Sequence, residues 1–209
     1  MTTEIMGAKK MRLIRRDFFK SLFVSFGSLG VLGKTGRIYA LAHAQENKGN
    51  VAHGCRFFNA NQARTLEAIC EQIIPPDDNP GAKDAGVLYF IDNALATWAP
   101  EHRWDYVAGL EGVDESSQLM FGANFLNLKW DQQTRVLEAM EQGLVPGEIW
   151  KRLKIGSRPS GNGDGGRSDQ QFLDLVIDHS MQGYYGDPKY GGNRNHVSWK
   201  MIGYSGHRG

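Results

Sequence analysis

Apolar residues recur at helical spacing along most of the chain beyond residue 59. Leu66, Ile69, Cys70, Ile73 and Ile74 fall at i, i+3, i+4, i+7 and i+8, the signature of one buried helix face. Asn59 or Asn61 can cap this helix and Pro75-Pro76 ends it. The run "DDNPGAKDAG" reads as a loop, after which Asp84 can cap a second helix carrying Val87, Phe90, Ile91, Ala94, Leu95 and Trp98, with Pro100 beyond its end. A third helix is predicted over about 101–111, with Trp104, Val107, Ala108 and Leu110; 113–121 either extends it or forms a separate turn. Asp131 can cap a fourth, which presents Val136, Leu137 and Met140 and stops at Gly143. A short fifth is predicted within 146–156. Ser168 and Gln171 form a capping box for a sixth over 169–183, with Phe172, Leu175, Val176 and His179. No long stretch alternates apolar and polar residues, and no hairpin signal separates β-rich runs. The predicted fold class is therefore all-α: one small domain of five or six short helices with an irregular Gly/Tyr/Trp-rich C-terminal tail. Its expected core is Leu66, Ile69, Ile73, Phe90, Leu95, Trp98, Val136, Leu137, Phe172 and Val176.

The first 44 residues follow a different pattern. A basic start is followed by "LFVSFGSLGVLG" at 22–33, apolar but diluted by Gly and Ser, and then by a small-x-small ending at Ala42-His43-Ala44. These three parts in this order read as an export signal cut after Ala44. The apolar run of 12 residues is short for a helix crossing the ~30 Å hydrocarbon core, so no permanent transmembrane anchor is expected. Arg15-Arg16 followed by Asp17, Phe18, Phe19 and Lys20 resembles the twin-arginine signal, with Phe19 in place of the usual Leu. The expectation is export to the periplasm through the twin-arginine translocase, a route for proteins folded in the cytoplasm around a cofactor or a partner.

Residues 45–209 carry 16 Lys/Arg and 21 Asp/Glu, a net charge of −5, which offers no footprint for nucleic acid. Cys55 and Cys70 are the only cysteines. An oxidising destination permits a disulfide; Cys70 lies on an apolar helix face, and Cys55 suits a free thiol or a bond to a partner subunit as well as an internal pair.

Candidate chemistry is sparse. "GNGDGG" at 161–166 satisfies Gly-x-Gly-x-x-Gly, but no buried strand precedes it. It reads instead as the centre of a flexible Gly-rich loop over 156–167. Neither cysteine fits haem attachment, and two cannot by themselves hold an iron–sulfur cluster. His53, His102, His179, His196 and His207 lack ligand-like spacing. Asp77, Asp78 and Asp84 could bind a cation, but turn and capping roles come first. No metal site, nucleophile motif or catalytic residue is expected in this chain; a stand-alone metal-dependent enzyme using Asp77, Asp78 and a histidine is the alternative.

The tail "GYYGDPKYGGNRNHVSWKMIGYSG", 183–206, shows no helical or strand period. Asp187-Pro188 and Gly192-Asn193 are turn chemistry, and the Tyr and Trp residues suit an interface. The tail either covers this domain's own core or presents an aromatic surface to a partner. Gly183, Gly186, Pro188, Tyr190, Gly191, Gly192, Asn193, Trp199, Ile202 and Gly203 together resemble the gluconate 2-dehydrogenase subunit 3 family. "TLEAICEQIIPPDDNPGAKDAGV" and "FLNLKWDQQTRVLEAME" extend the resemblance over most of the chain. Ser198, where the family pattern has Gly, and the Tyr204-Ser205-Gly206 ending depart from it. The resemblance implies an accessory subunit of a periplasmic dehydrogenase complex acting on gluconate, a sugar or a polyol. FAD would sit on a large partner subunit and haem on a multihaem cytochrome c partner, through which the complex could associate with the membrane. This chain would bind the flavoprotein and escort it through export; docking the dehydrogenase to the cytochrome is the alternative role. The residues expected to face the partner are Tyr184, Tyr185, Pro188, Tyr190, Gly191, Gly192, Asn193 and Trp199.

Overall fold

The computed structural model describes residues 54–153, 155 and 168–205. The export signal (Arg15, Arg16, Phe18, Phe19, Lys20, Ala42 and Ala44) and the "GNGDGG" loop lie outside these residues. Among the described residues the fold is all-α, in line with the sequence pattern. The helices are α1 (Ala60–Ile73), α2 (Ala82–Ala85), α3 (Val87–Ala96), α4 (Arg103–Phe121), α5 (Trp130–Glu141), α6 (Glu148–Arg152), α7 (Ser168–Tyr185) and α8 (Val197–Met201). Among the described residues, no helix is long and apolar enough to cross a membrane.

Helix starts follow local chemistry, with some shifts. Asn59 caps α1: its side chain accepts from the N–H groups of Asn61 and Gln62, while Gln62 Oε1 accepts from the Asn59 N–H at 3.1 Å. Asp84 is not the cap of the second long helix. It lies inside the single turn α2, and Gly86, in the left-handed region at φ 71°, separates that turn from α3. Asp131 sits in the first turn of α5 rather than at its cap, where Gln132 reaches back to the Lys129 N–H at 2.9 Å. The third helix runs unbroken to Phe121, so 113–121 extends it. Ser168 is the first helical residue of α7, and its hydroxyl donates to the Leu153 carbonyl. The tail is not without helix: short 3-10 turns at Pro188–Tyr190 and Arg194–His196 lead into α8.

Helix α7 is the mast of the fold and packs against each of the other seven described α-helices. A helix surrounded in this way is buried around most of its circumference; accordingly Asp169, Phe172, Leu173, Leu175, Val176, Ile177, His179, Ser180, Gly183 and Tyr184 are all buried. Two glycines of α4 admit the large rings. A Cβ on Gly109 would come within 2.3 Å of the Phe172 ring, and one on Gly112 within 2.6 Å of the Trp150 ring. One turn further on, Ser116 Oγ accepts from Trp150 Nε1 at 2.7 Å.

Of the expected core, every residue is buried except Trp98, which is 48% exposed. The reason is where α3 stops. Its last helical residue is Ala96, and the Arg103 guanidinium donates to the carbonyls of Leu95 and Ala96, closing the helix end. Trp98 lies past that stop and leans on the surface.

Carboxylates from one element hold the backbone of another throughout the molecule. Asp92 of α3, 2% exposed, accepts from the N–H groups of Arg56, Phe57 and Phe58 at 2.6, 3.0 and 3.0 Å. Glu71 accepts from Lys83 at the start of α2, Asp114 from Phe125, and Glu115 from Ile149 at the start of α6. These satisfy backbone donors that no local residue reaches.

Candidate interaction site

The tail is built first as a fold element and only then as a surface. Gly191 takes φ 105°, which favours glycine, and lies against the Tyr89 backbone; a Cβ on Gly192 would stand 2.1 Å from the Gly183 carbonyl oxygen. Asn193 is fully buried at φ 44°, a left-handed conformation that Asn tolerates better than most residues. Its Nδ2 donates to the Gly186 carbonyl at 2.9 Å and its Oδ1 accepts from the Ser198 N–H at 3.1 Å. Tyr184 is also buried, and its hydroxyl donates to the Pro80 carbonyl at 2.6 Å. Tyr184, Gly192 and Asn193, expected to face a partner, are therefore turned into this chain. They shape the tail from within, because their polar groups and their lack of side-chain bulk are used by its own backbone.

Other residues of the expected set reach the surface. Tyr190 is 43% exposed and meets Trp98 edge to face, with ring centroids 5.5 Å apart; Trp98 in turn meets Phe90 at 6.0 Å. Phe90, Trp98 and Tyr190 line an open groove of about 400 Å³. Pro188 opens the 3-10 turn that presents Tyr190, and Asp187 caps it by accepting from the Lys189 N–H at 3.0 Å. Lys189 Nζ lies 4.9 Å from the Tyr190 ring centre and 3.2 Å from Asp187 Oδ2. Tyr185 is exposed at the end of α7, and its carbonyl accepts from Trp199 Nε1 at 3.0 Å. The Trp199 ring packs on Tyr204 at 5.0 Å and on His196 at 5.2 Å. Sequence reasoning missed Trp98 as a surface residue. Pro100, two positions on, was the available sign that the helix had already ended.

A smaller opening of about 210 Å³ is lined by Cys55, Ala60, Ala63, Arg64, Glu67, Leu88 and Tyr89. Cys55 and Cys70 are both free thiols, so neither forms a disulfide with the other. Burial, reinforced by Asp92, pushes the Cys55 thiol up to about 11; burial pushes Cys70 up to about 12. Both stay protonated near neutrality and are weak nucleophiles.

Asp77, weighed as a cation ligand, serves a turn: its Oδ1 accepts from the Asn79 N–H at 2.8 Å. His179 Nδ1 is bonded to the buried Tyr106 hydroxyl at 2.9 Å, and His102 Nδ1 to Asp105 Oδ2 at 3.0 Å. His53 and His207 lie outside the described residues. Among the described residues no group of three or more His, Cys, Asp or Glu side chains could hold a metal ion.

An all-α fold wound on one central helix, finished by a tightly packed Gly/Asn tail that displays aromatic rings, defines a small helical protein with its distinctive surface at the C-terminal end. The sequence profile of gluconate 2-dehydrogenase subunit 3 matches residues 60–206, and the chain belongs to that family. The family's name describes one subunit of a multi-subunit gluconate dehydrogenase complex. No curated protein matches the chain, nor does any solved structure.

Proposed function

We propose that this chain is a non-catalytic accessory subunit of a periplasmic FAD-dependent dehydrogenase of gluconate, a sugar or a polyol. It binds the flavin-carrying large subunit in the cytoplasm and carries it through the twin-arginine translocase. The observation that carries this reading is the family match over 60–206, preceded in the same chain by Arg15-Arg16 and the Phe18-Phe19-Lys20 that follows. A large subunit that takes up FAD in the cytoplasm would have to leave it folded to keep the flavin. A signal of the folded-export type on a small helical partner supplies the passage that such a cargo needs.

Replacing Arg15 and Arg16 by Lys in the full chain, co-expressed with the FAD-containing large subunit of its host, tests the escort. Flavin and large subunit are expected to remain in the cytoplasmic fraction. Export of the large subunit at the wild-type level with this variant, or without this chain at all, would refute the escort role.

A further inference from the structure

The proposed function leaves open which face meets the large subunit and what chemistry that face selects; the inference here rests on that reading. Three observations converge on the end of α7. The first is apolar exposure. Trp98, Tyr185, Tyr190, Ile202 and Tyr204 are 41 to 60% exposed there, and the Trp98–Tyr190 pair borders a groove rather than lying flat. The second is backbone conformation. Asn193, Asn195 and His196 are the non-Gly residues with positive φ among those described, at 44°, 57° and 56°, and they crowd into four positions. Left-handed conformations at non-Gly positions persist where surrounding packing imposes them, and they gather at ligand clamps and binding surfaces.

The third is charge. Residues 45–182 carry 12 Lys/Arg and 20 Asp/Glu, whereas 183–209 carry four and one. Tyr190 and the tail around it thus bring a basic stretch, with Lys189, Arg194 and Lys200 against Asp187 among its described residues, to a groove whose Phe90 and Trp98 come from the acidic part of the chain. Lys189 and Lys200 are exposed in the tail, with Asp187 paired to Lys189, and the Arg194 guanidinium stacks 3.7 Å above the Tyr89 ring. A second copy docking face to face would bring two patches of the same net sign together, which is unfavourable. The complement is a protein surface with an apolar protrusion for the groove and carboxylates around it.

We infer that the large subunit docks on the face centred on Trp98 and Tyr190, through an apolar protrusion ringed by acidic side chains that meet Lys189 and Lys200. Trp98 is the anchor that the tail motif does not contain. Asn193 and Gly192 are positioning residues that hold Tyr190 and Trp199 in place.

The test is co-purification of the full chain with the FAD-containing large subunit of its host, read as flavin absorbance per mole of this chain. Trp98→Ala with Tyr190→Ala, and separately Lys189→Glu with Lys200→Glu, are each expected to lower retained flavin by about tenfold or more, as anchor and charge losses at interfaces do. Retention by the wild type is expected to fall as salt rises. Trp130→Ala with Leu144→Ala, exposed apolar residues elsewhere, should leave retention unchanged. The lysine pair carries the decision if circular dichroism shows that the aromatic pair has lost its fold. Full retention by the lysine variant and by a folded aromatic variant would place the docking face elsewhere and leave the subunit reading standing. No flavin retained even by the wild type would overturn both readings. A wild-type homodimer that the aromatic variant dissociates would show that a second copy covers this face, against the inference.

Discussion

Gly192 lies flat against Gly183, so close that a Cβ on residue 192 would come within 2.1 Å of the Gly183 carbonyl oxygen. The obstacle is backbone at the end of the central helix, which has little room to move. Gly192→Ala is therefore expected to cost about 2–3 kcal/mol, the upper part of the range for overpacked sites. Urea unfolding of the purified chain checks this. A midpoint unchanged from the wild type would mean that the tail is free to lift off α7.

Gly109→Ala sets helix propensity against packing. Alanine is better than glycine in a helix interior by about 1 kcal/mol. Here, however, the added methyl would meet the Phe172 ring at 2.3 Å, in the seam between α4 and α7. Net destabilisation by about 1–2 kcal/mol is expected once the two are combined. Phe172→Ala should lose more, about 3–5 kcal/mol, because it empties a fully packed site. Thermal melts of both variants order the two effects.

Asp92 joins α3 to the segment before α1 through three backbone N–H groups. Asp92→Ala leaves these donors without their acceptor, and a loss of about 2–3 kcal/mol is expected. Asp92→Asn keeps one carbonyl oxygen and should lose less. Amide hydrogen exchange at Phe57 and Phe58 gives a local readout: faster exchange in Asp92→Ala than in Asp92→Asn, with α5 unaffected, is the expected pattern.

The pH response should run against the habit of salt-bridged carboxylates. Burial raises Asp105, with the His102 contact opposing it, and burial raises Asp114, with the Phe125 N–H opposing it. A folded-state pKa above the unfolded value means that the native state holds the proton more tightly. The stability these groups contribute is full below the unfolded value near 3.9 and is lost as pH rises through their raised folded values. Moving from pH 7 down towards those values should therefore raise their contribution to the unfolding free energy. Asp114→Asn, which keeps an acceptor for Phe125, should flatten that part of the profile in urea titrations at a series of pH values. An unchanged slope would assign the pH dependence to other groups.

Much of the helical content was legible because it is local. Apolar spacing in 66–74 and 87–95, the Asn59 cap and the Gly143 stop, which takes φ 67°, all depend on residues within a turn or two. The placement of α7 at the centre was not legible. Its Asp169 and Ser180 lie outside the face that the spacing of Phe172, Leu175, Val176 and His179 marks as inward, yet they are buried as well because helices from distant parts of the chain pack on α7. Nor was the surface role of Trp98, since helical spacing alone puts it on the buried face while Arg103 closes the helix short of it.

The sequence by itself determined the all-α class, most of the core and the family motif of the tail, because periodicity, capping and glycine preference act through near neighbours. Only the tertiary structure decided which members of Tyr-Gly-Gly-Asn face inward. Tyr190 stays outside because its ring meets Trp98, 92 positions earlier in the chain, whereas Gly192 and Asn193 are drawn inside by the backbone of α7 and the turn after it. Such contacts join residues far apart in sequence, and no local pattern records which side of a turn will find a neighbour.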